Sequence, residues 1–296
     1  MAVPFELLLA LSGVPIGFGS LYIRRWQTRR AVRRTPLTRE LLRAPGESLA
    51  SAVDVASERV TDEALLILLW PLLVTFIATV FFYPKGGMTD GRLVATALVC
   101  LSGVGIGVYR LLSRLKERDR LRLGLDGERA VGEELNQLML KGCRVFHDVL
   151  GERFNIDHVV VGPAGVWAVE TKARAKKGKG KDSARVTCDG QHLRFPGWTE
   201  KEPLEQAQRQ AVWLGKWLTS AVGEPVVVRS ALALPGWFVE RKAPADPVVF
   251  NPRNSAFLAD PRGGVRLPDP MIQRIAHQLE QRCRNVAPRA YGETGG

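Results

Sequence analysis

The chain has 296 residues, of which 46% are hydrophobic, and it carries a formal net charge of +12 with a pI near 10.0. This apolar content is sufficient for membrane spans together with one soluble domain of ordinary size. The positive charge predicts an anionic partner, either a lipid surface or nucleic acid. The four cysteines are too scattered for a disulfide framework and lack paired zinc-type spacing, and the four histidines show no metal-ligand pattern.

Three apolar stretches dominate the first part of the chain. They lie at about 5–23, 64–83 and 93–111. Each is close to the roughly 20 residues that a helix needs to cross a bilayer. The first lacks a basic n-region and is followed directly by arginines, which favours a retained membrane helix over a signal peptide. The third is rich in small residues, which allow close packing on a neighbouring helix, and a buried soluble helix is its alternative.

Lysine and arginine are distributed unevenly around these stretches. They are abundant after the first and third, whereas the loop at 84–91 holds one lysine and one aspartate. Because cytoplasmic loops are enriched in both residues, we expect the N-terminus outside and the C-terminal domain in the cytoplasm. The sequence thus predicts a multi-pass protein of the cell inner membrane. Its membrane module is 1–113 with a cytoplasmic loop at 24–63, and a basic juxtamembrane linker at 114–126 contacts membrane lipid.

Residues 128–140 form a predicted helix that begins at Glu128. Apolar residues that include Val131, Leu135 and Leu138 recur at helical spacing, so one face packs against a core. An acidic residue in the first turn also interacts favourably with the helix dipole. The position of Glu128 alone therefore fits a structural role and a functional role equally well.

The most informative local pattern is a predicted β-hairpin at residues 155–172. Two β-branched runs flank the turn at 162–165, and a four-residue loop would pair Val161 with Val166. Counting outward, Asp157 falls opposite Glu170. Side chains alternate along a strand, so Lys172 lies on the same face as Glu170.

Opposed carboxylates destabilise a sheet unless something neutralises them, and a bound Mg²⁺ or Mn²⁺ would do so through its preference for oxygen ligands. Lys172 beside such an ion would orient or deprotonate a water and offset charge on a phosphate. Asp157, Glu170 and Lys172 therefore fit metal-assisted phosphodiester hydrolysis. A surface hairpin with solvated charges is the alternative, and spacing alone does not decide between them. His158 should point to the opposite face, where we interpret it as a packing residue.

A basic run interrupted by glycines, which we call the flap, follows the hairpin directly. It supplies five candidate nucleic-acid-binding residues: Arg174, Lys176, Lys177, Lys179 and Lys181. Lysines of this spacing follow a phosphate backbone without reading bases, which predicts sequence-tolerant and salt-sensitive binding to DNA or RNA. A solvated loop is the alternative.

The remaining sequence predicts a second helix at 203–218, in which Gln206 and Gln210 lie one turn apart. Glutamines on a helix surface are usually only solvated. Later strands are expected at 226–228, 231–234, 237–239 and 247–250, and a closing helix at 269–284. The last residues, 287–296, are predicted to be a flexible tail.

Four motifs occur in an order that resembles a known nuclease family. They are the segment 124–128 ending at Glu128, the segment 156–158 around Asp157, Glu170-Thr171-Lys172, and the segment 206–210 beginning at Gln206. Together they resemble the Asp…Glu-x-Lys core of the PD-(D/E)xK superfamily, and more narrowly the NERD (nuclease-related) domain, over about residues 120–235. One such motif is a weak signal, whereas four in order are fairly specific.

The resemblance implies an α/β fold, with a restriction-endonuclease-like mixed sheet flanked by helices at 127–286, after the α-helical membrane module. It also implies that Glu128 joins the metal site and that Gln206 supports it. We therefore predict a membrane-anchored cytoplasmic nuclease in which Asp157 and Glu170 hold the metal and Lys172 assists the water. A non-catalytic membrane tether for DNA or RNA and a membrane scaffold for protein partners are the alternatives, because a fold does not establish an activity. The sequence makes no prediction of oligomeric state.

Overall fold

The computed structural model describes residues 39–82, 85–176, 178, 182–261 and 266–287. Several predicted features lie outside these residues: the span at 5–23, the start of the loop at 24–63, the flap residues Lys177, Lys179 and Lys181, and nearly all of the tail at 287–296. The described chain belongs almost entirely to one compact unit, Leu42–Arg284.

The described residues form long helices first and a strand-rich region afterwards. The α-helices are α1 (Glu47–Phe82), α2 (Asp90–Asn136), α3 (Glu202–Val222) and α4 (Asp269–Cys283). Short 3₁₀ segments lie at Gln137–Lys141, Asp182–Ala184 and Pro252–Ala259. The strands are β1 (Leu41–Leu42), β2 (Arg144–Leu150), β3 (Asn155–Gly162), β4 (Gly165–Thr171), β5 (Arg185–Cys188), β6 (Leu193–Phe195), β7 (Trp198–Glu200), β8 (Val228–Ala233), β9 (Phe238–Arg241), β10 (Val248–Phe250) and β11 (Arg284–Val286).

Both α1 and α2 are long and apolar enough to cross a membrane. They contain the predicted spans at 64–83 and 93–111, except for Tyr83, which lies outside the described residues. Only 6% of the apolar window of α1 and none of that of α2 is buried. The buried soluble helix considered for the third stretch is therefore wrong. α2 also continues without a break through the predicted linker at 114–126.

α1 and α2 pack against each other through polar contacts as well as apolar ones. The Trp70 indole N–H donates to the carbonyl of Val99 at 3.1 Å. Arg110 pairs with the buried Glu63 at 2.7 Å, just outside the apolar part of α1. These contacts join the two helices at one end of the apolar region and at a point within it.

Two glycines of α2 allow this close approach. A Cβ atom added to Gly103 would lie 2.0 Å from the indole nitrogen of Trp70, and one added to Gly107 would lie 2.6 Å from Ile67. A Cβ atom on Gly105 would meet nothing within 4 Å. Close packing by small residues, as the sequence predicts for this helix, therefore involves the first and last of the three glycines.

A five-stranded mixed sheet is the centre of the C-terminal part, with the strand order β10-β8-β4-β3-β2. β2, β3 and β4 are antiparallel neighbours, whereas β8 is parallel to β4 and to β10. Val161 pairs with Val166, which confirms the predicted hairpin register. A second, four-stranded sheet with the order β7-β6-β5-β9 follows the flap, and of its strands only β9 is predicted from the sequence.

Helices cover both faces of the five-stranded sheet. One core contains Val159 and Val161 with Leu214 of α3 and Ile275 of α4. The alternate strand residues, such as Val160, face a second core with residues of α2. The predicted α/β class, with a restriction-endonuclease-like mixed sheet flanked by helices and preceded by further helices, is confirmed.

We expect Gly103→Ala to lower the apparent melting temperature of the full chain in detergent by about 2–4 °C. The added methyl group forces the Trp70 indole to move and break its hydrogen bond to Val99. Gly105→Ala makes the same chemical change two residues later in open space, so this control should melt no lower than the native chain. Equal losses in the two variants would contradict the close packing of α1 on α2.

Candidate active site

Asp157 lies where the hairpin pairing ends. The last paired residues are His158 of β3 and Val169 of β4, which places Asp157 and Glu170 at the next position outward. The Thr171 backbone N–H donates to Asp157 Oδ2 at 2.6 Å, so the carboxylate takes the bond that the next residue pair would have used. Asp157 and Glu170 are both buried. The predicted juxtaposition of the two acids therefore occurs in the fold.

Glu170 is held on both sides by hydrogen-bond donors. Its Oε1 lies 2.6 Å from Lys172 Nζ, and its Oε2 accepts from Gln210 Nε2 at 2.6 Å. The Lys172 side chain is 21% exposed, whereas that of Glu170 is 2% exposed. Lys172 therefore lies between a buried carboxylate and solvent, where it can reach an approaching substrate.

Glu128 reaches the same region from α2. A Cβ atom added to the preceding residue, Gly127, would lie 2.6 Å from Cβ of Ala173. The glycine thus allows α2 to lie against the segment that follows Lys172, which brings Glu128 towards the carboxylates of the hairpin. Glu128 is buried, and its Oε2 makes no hydrogen bond. An unpartnered buried carboxylate oxygen is costly unless a cation or a water satisfies it.

The pKa values of all three carboxylates are raised, chiefly by burial. Burial, followed by the negative charges of Asp148 and Glu170, raises the pKa of Glu128 to about 7. Burial and the charges of Glu170 and Glu128 raise the pKa of Asp157, against the Thr171 hydrogen bond and Lys172. Burial also raises the pKa of Glu170, although Lys172 and Gln210 favour its ionised form. The cluster holds more acidic groups than its cations can neutralise.

A hard cation fits this donor chemistry. In the described part of the chain, no set of three or more His, Cys, Asp or Glu side chains is already arranged to hold a metal ion. Mg²⁺ usually needs only one or two protein carboxylates, because it keeps several waters and binds substrate phosphates. Asp157 and Glu170 would be two such carboxylates. The repulsion within the cluster and the unpartnered Glu128 oxygen both favour a bound cation.

The glutamine that contacts the cluster is Gln210 and not Gln206. Gln206 is half-buried, and within the described chain no hydrogen bond joins it to the three carboxylates. Gln210 is buried, donates to Glu170 and also donates to the carbonyl of Asn155 at 3.1 Å. Helical spacing contains this information, because Gln210 lies on the inner face defined by Ala207 and Leu214.

The start of the basic flap is partly neutralised by the protein itself. Arg174 makes a two-point contact with Glu200, at 2.8 Å from Nε and 2.7 Å from Nη2. Lys176 is exposed, and its Nζ lies 6.0 Å from the centroid of the Trp237 ring. Of the flap cations that the structure describes, Lys176 is thus the better placed to contact a phosphate.

His158 lies on the other side of the hairpin, as predicted. It is buried, and its Nδ1 lies 2.9 Å from Nδ1 of His147. Burial lowers the pKa of His147 to about 4 and lowers the pKa of His158 as well. Both imidazoles are therefore neutral near pH 7, which is consistent with the predicted packing role of His158.

The raised pKa of Glu128 predicts how stability depends on pH. The folded chain binds this proton more tightly than the unfolded chain, in which the pKa is near 4.5. Its contribution to stability is therefore complete below about pH 4.5 and is lost as the pH rises through about 7. We expect the melting temperature of the protein in EDTA to fall between about pH 5 and pH 8.

Glu128→Gln should reduce that fall and raise the melting temperature at pH 8 by about 4 °C. Glu133→Gln, in an exposed acid of the same helix, is the control and should leave the pH profile as it is. A profile of the same slope in the native chain and in Glu128→Gln would contradict the electrostatic coupling of the cluster.

Comparison with known proteins identifies a family match over the residues of this site. The family model described as NERD, nuclease-related domain, matches residues 123–235. The matched range contains Glu128, Asp157, Glu170, Lys172 and Gln210. Neither the curated proteins nor the solved structures provide a significant match. The predicted family resemblance is therefore confirmed, and a NERD nuclease-related domain is found at residues 123–235.

Proposed function

We propose that this protein is a membrane-anchored, metal-dependent nuclease whose NERD domain hydrolyses phosphodiester bonds in nucleic acid. The observation that carries the proposal is the cluster of Asp157, Glu170 and Glu128 beside Lys172, within the residues that match the nuclease-related family. Burying three acids that repel one another destabilises the fold. A bound cation would offset that repulsion, and the acids would then act on a phosphate substrate.

Asp157 and Glu170 would hold Mg²⁺ or Mn²⁺, and Glu128 would support them from α2. Such an ion, when bound, lowers the pKa of a coordinated water and offsets negative charge on phosphate oxygens. Thr171 fixes Asp157 through its backbone N–H, and Gln210 restrains Glu170 through Oε2. Both acids are thus held in one orientation before substrate binds, which reduces the reorganisation needed during reaction.

Lys172 would orient the attacking water and stabilise charge that develops on the phosphate. Its ammonium group lies 2.6 Å from Glu170 and is partly exposed, so it can contact both the buried acid and a substrate in solvent. An ammonium group placed between a buried carboxylate and a phosphate suits charge stabilisation.

DNA and RNA are both proposed substrates, because the basic side chains of the flap would interact with phosphates and not with bases. Lys176 and the flap lysines Lys177, Lys179 and Lys181 would contact the backbone. The two apolar helices would hold the domain at the cell inner membrane, with the C-terminal domain in the cytoplasm and the basic residues at 114–126 against anionic lipid.

A non-catalytic membrane tether for nucleic acid is the second candidate. It is favoured by one observation, namely that both oxygens of Glu170 already accept a hydrogen bond, from Lys172 and Gln210. A metal ion that binds Glu170 must displace or share one of these donors. A tether would use the same fold and flap without that rearrangement.

Cleavage of labelled single- and double-stranded DNA and RNA by the full chain in detergent tests the proposal. We expect Mg²⁺-dependent cleavage that falls by about 10²–10³ in Asp157→Asn and in Lys172→Ala, since each removes a group that acts on the charge of the transition state. Asp157→Asn should bind nucleic acid as tightly as the native chain or more tightly, because it repels phosphates less. Lys216→Ala, in an exposed lysine of α3, is the control.

Salt-sensitive binding without cleavage in all these proteins would support the tether instead. Cleavage that is unchanged in both site variants would refute the proposed metal site.

Gln210→Ala should lower kcat by about tenfold, because Glu170 loses the donor that fixes its Oε2. Gln206→Ala makes the same change one turn earlier on α3, at a side chain that does not contact the carboxylates, and should stay within about twofold of the native rate. Steady-state cleavage measurements on both variants provide the comparison. A larger loss in Gln206→Ala than in Gln210→Ala would assign the supporting role to the other glutamine.

A further inference from the structure

Asp148 is a fully buried acid of β2 that holds the start of α1. Its Oδ2 accepts from Arg43 Nη2 at 2.5 Å, and from the backbone N–H and the hydroxyl of Ser48, each at 2.8 Å. Ser48 is the second residue of α1, so the carboxylate satisfies one of the free N–H groups at the helix N-terminus. A negative charge at that end also interacts favourably with the helix dipole.

The other oxygen of Asp148 connects to the candidate active site. Asp148 Oδ1 accepts from the side-chain amide of Asn155, the first residue of β3. The carbonyl of Asn155 accepts from Gln210 Nε2 at 3.1 Å, and the same nitrogen donates to Glu170 Oε2 at 2.6 Å. A series of hydrogen bonds thus connects the start of α1 through Asp148, Asn155 and Gln210 to Glu170, and at Asn155 it passes from the side-chain amide to the backbone carbonyl of the same residue.

The backbone at Asp148 is consistent with a specific demand for this side chain. Its φ is +49°, in the left-handed region that favours glycine. Aspartate tolerates that region better than most residues, at some conformational cost. Glycine would remove the cost but would leave Arg43, Ser48 and Asn155 without their shared acceptor.

We propose that Asp148 and Asn155 are positioning residues of the nuclease site, through which the N-terminus of α1 sets the orientation of the Glu170 carboxylate. This inference rests on the proposed function insofar as Glu170 acts as a metal ligand. α1 is one of the two helices that are able to cross a membrane. The position of that helix and the geometry of the metal site are therefore coupled. A shift at the start of α1 thus reaches Glu170 through Asp148, Asn155 and Gln210.

A role confined to capping α1 makes a different prediction. If Asp148 only stabilised the helix, removing contacts at its α1 end would lower stability without changing the metal site. If the hydrogen-bond series positions Glu170, the same change would alter metal affinity, and only while Gln210 completes the connection. Coupling between distant side chains is established by a double-mutant cycle and not by proximity.

The experiment uses Ser48→Ala and Gln210→Ala, at the two ends of the hydrogen-bond series. The variants are made alone and together, in the full-length protein in detergent. Ser48→Ala removes the hydroxyl contacts with Asp148 and Arg43 but keeps the backbone N–H. Ser51→Ala is the matched control, because that hydroxyl lies in the same helix and donates to the carbonyl of Glu47. Mn²⁺ affinity is measured by electron paramagnetic resonance titration, and kcat and KM by cleavage of labelled nucleic acid.

Ser48→Ala should raise the Kd for Mn²⁺ by about three- to tenfold and lower kcat by a similar factor, with KM unchanged. In the Gln210→Ala background the same change should have little further effect. Asn155→Ala breaks the middle of the series and should raise the Kd by about tenfold. Independent effects of Ser48→Ala and Gln210→Ala, or equal effects of Ser48→Ala and Ser51→Ala, would overturn the inference.

A third measurement separates this inference from the proposed function. If the native chain neither cleaves nucleic acid nor binds Mn²⁺, the proposed function fails, but thermal unfolding still tests the coupling. The losses in melting temperature of Ser48→Ala and Gln210→Ala should then be non-additive by about 2 °C or more. Additive losses would overturn the inference even in a protein with no activity.

Discussion

Repulsion among Glu128, Asp157 and Glu170 is the constraint on which the C-terminal part of this protein depends. Three acids from α2, β3 and β4 are buried together, and Lys172 contacts one of them, Glu170, directly. Such an arrangement persists only if the surrounding fold is stable enough to offset it. The five-stranded sheet, with a core on each face, provides that stability.

The same constraint explains why the site is built from several elements. Two acids on one hairpin are fixed by strand register alone, whereas Glu128 needs α2 to lie against the sheet. Gly127 allows that approach because it has no side chain to meet Ala173. Gln210 then comes from the opposite layer, so the cluster lies between helices on the two faces of the sheet. Activity and stability are thus in tension at these positions.

Local patterns in the sequence were sufficient for the hairpin and its acids. The register of Val161 with Val166 follows from loop length, and the register then places Asp157 beside Glu170. Length and apolar composition likewise predicted the apolar parts of α1 and α2. The bounds of α2 were harder to predict, because its apolar and basic segments differ in composition while the backbone continues as one helix.

Contacts between residues distant in sequence could not be predicted. The buried position of Gln210 was visible in the helical pattern, but its contact with Glu170 depends on how α3 crosses the sheet. The role of Asp148 depends on Arg43 and Ser48, about 100 residues earlier in the chain. The strands β5, β6 and β7 are only three or four residues long, which is too short for a clear alternating pattern.

The continuity of α2 makes the distance between the apolar region and Glu128 a fixed quantity. An α-helix advances about 1.5 Å and turns about 100° with each residue. Inserting a single residue at 112–123 would therefore rotate the apolar surface by more than a quarter-turn relative to the carboxylate. An insertion of seven residues would nearly restore the angle while lengthening the rod by about 10 Å. Insertions and deletions in this segment should thus be tolerated in whole helical repeats, because the helix fixes the angle as well as the distance between its two ends.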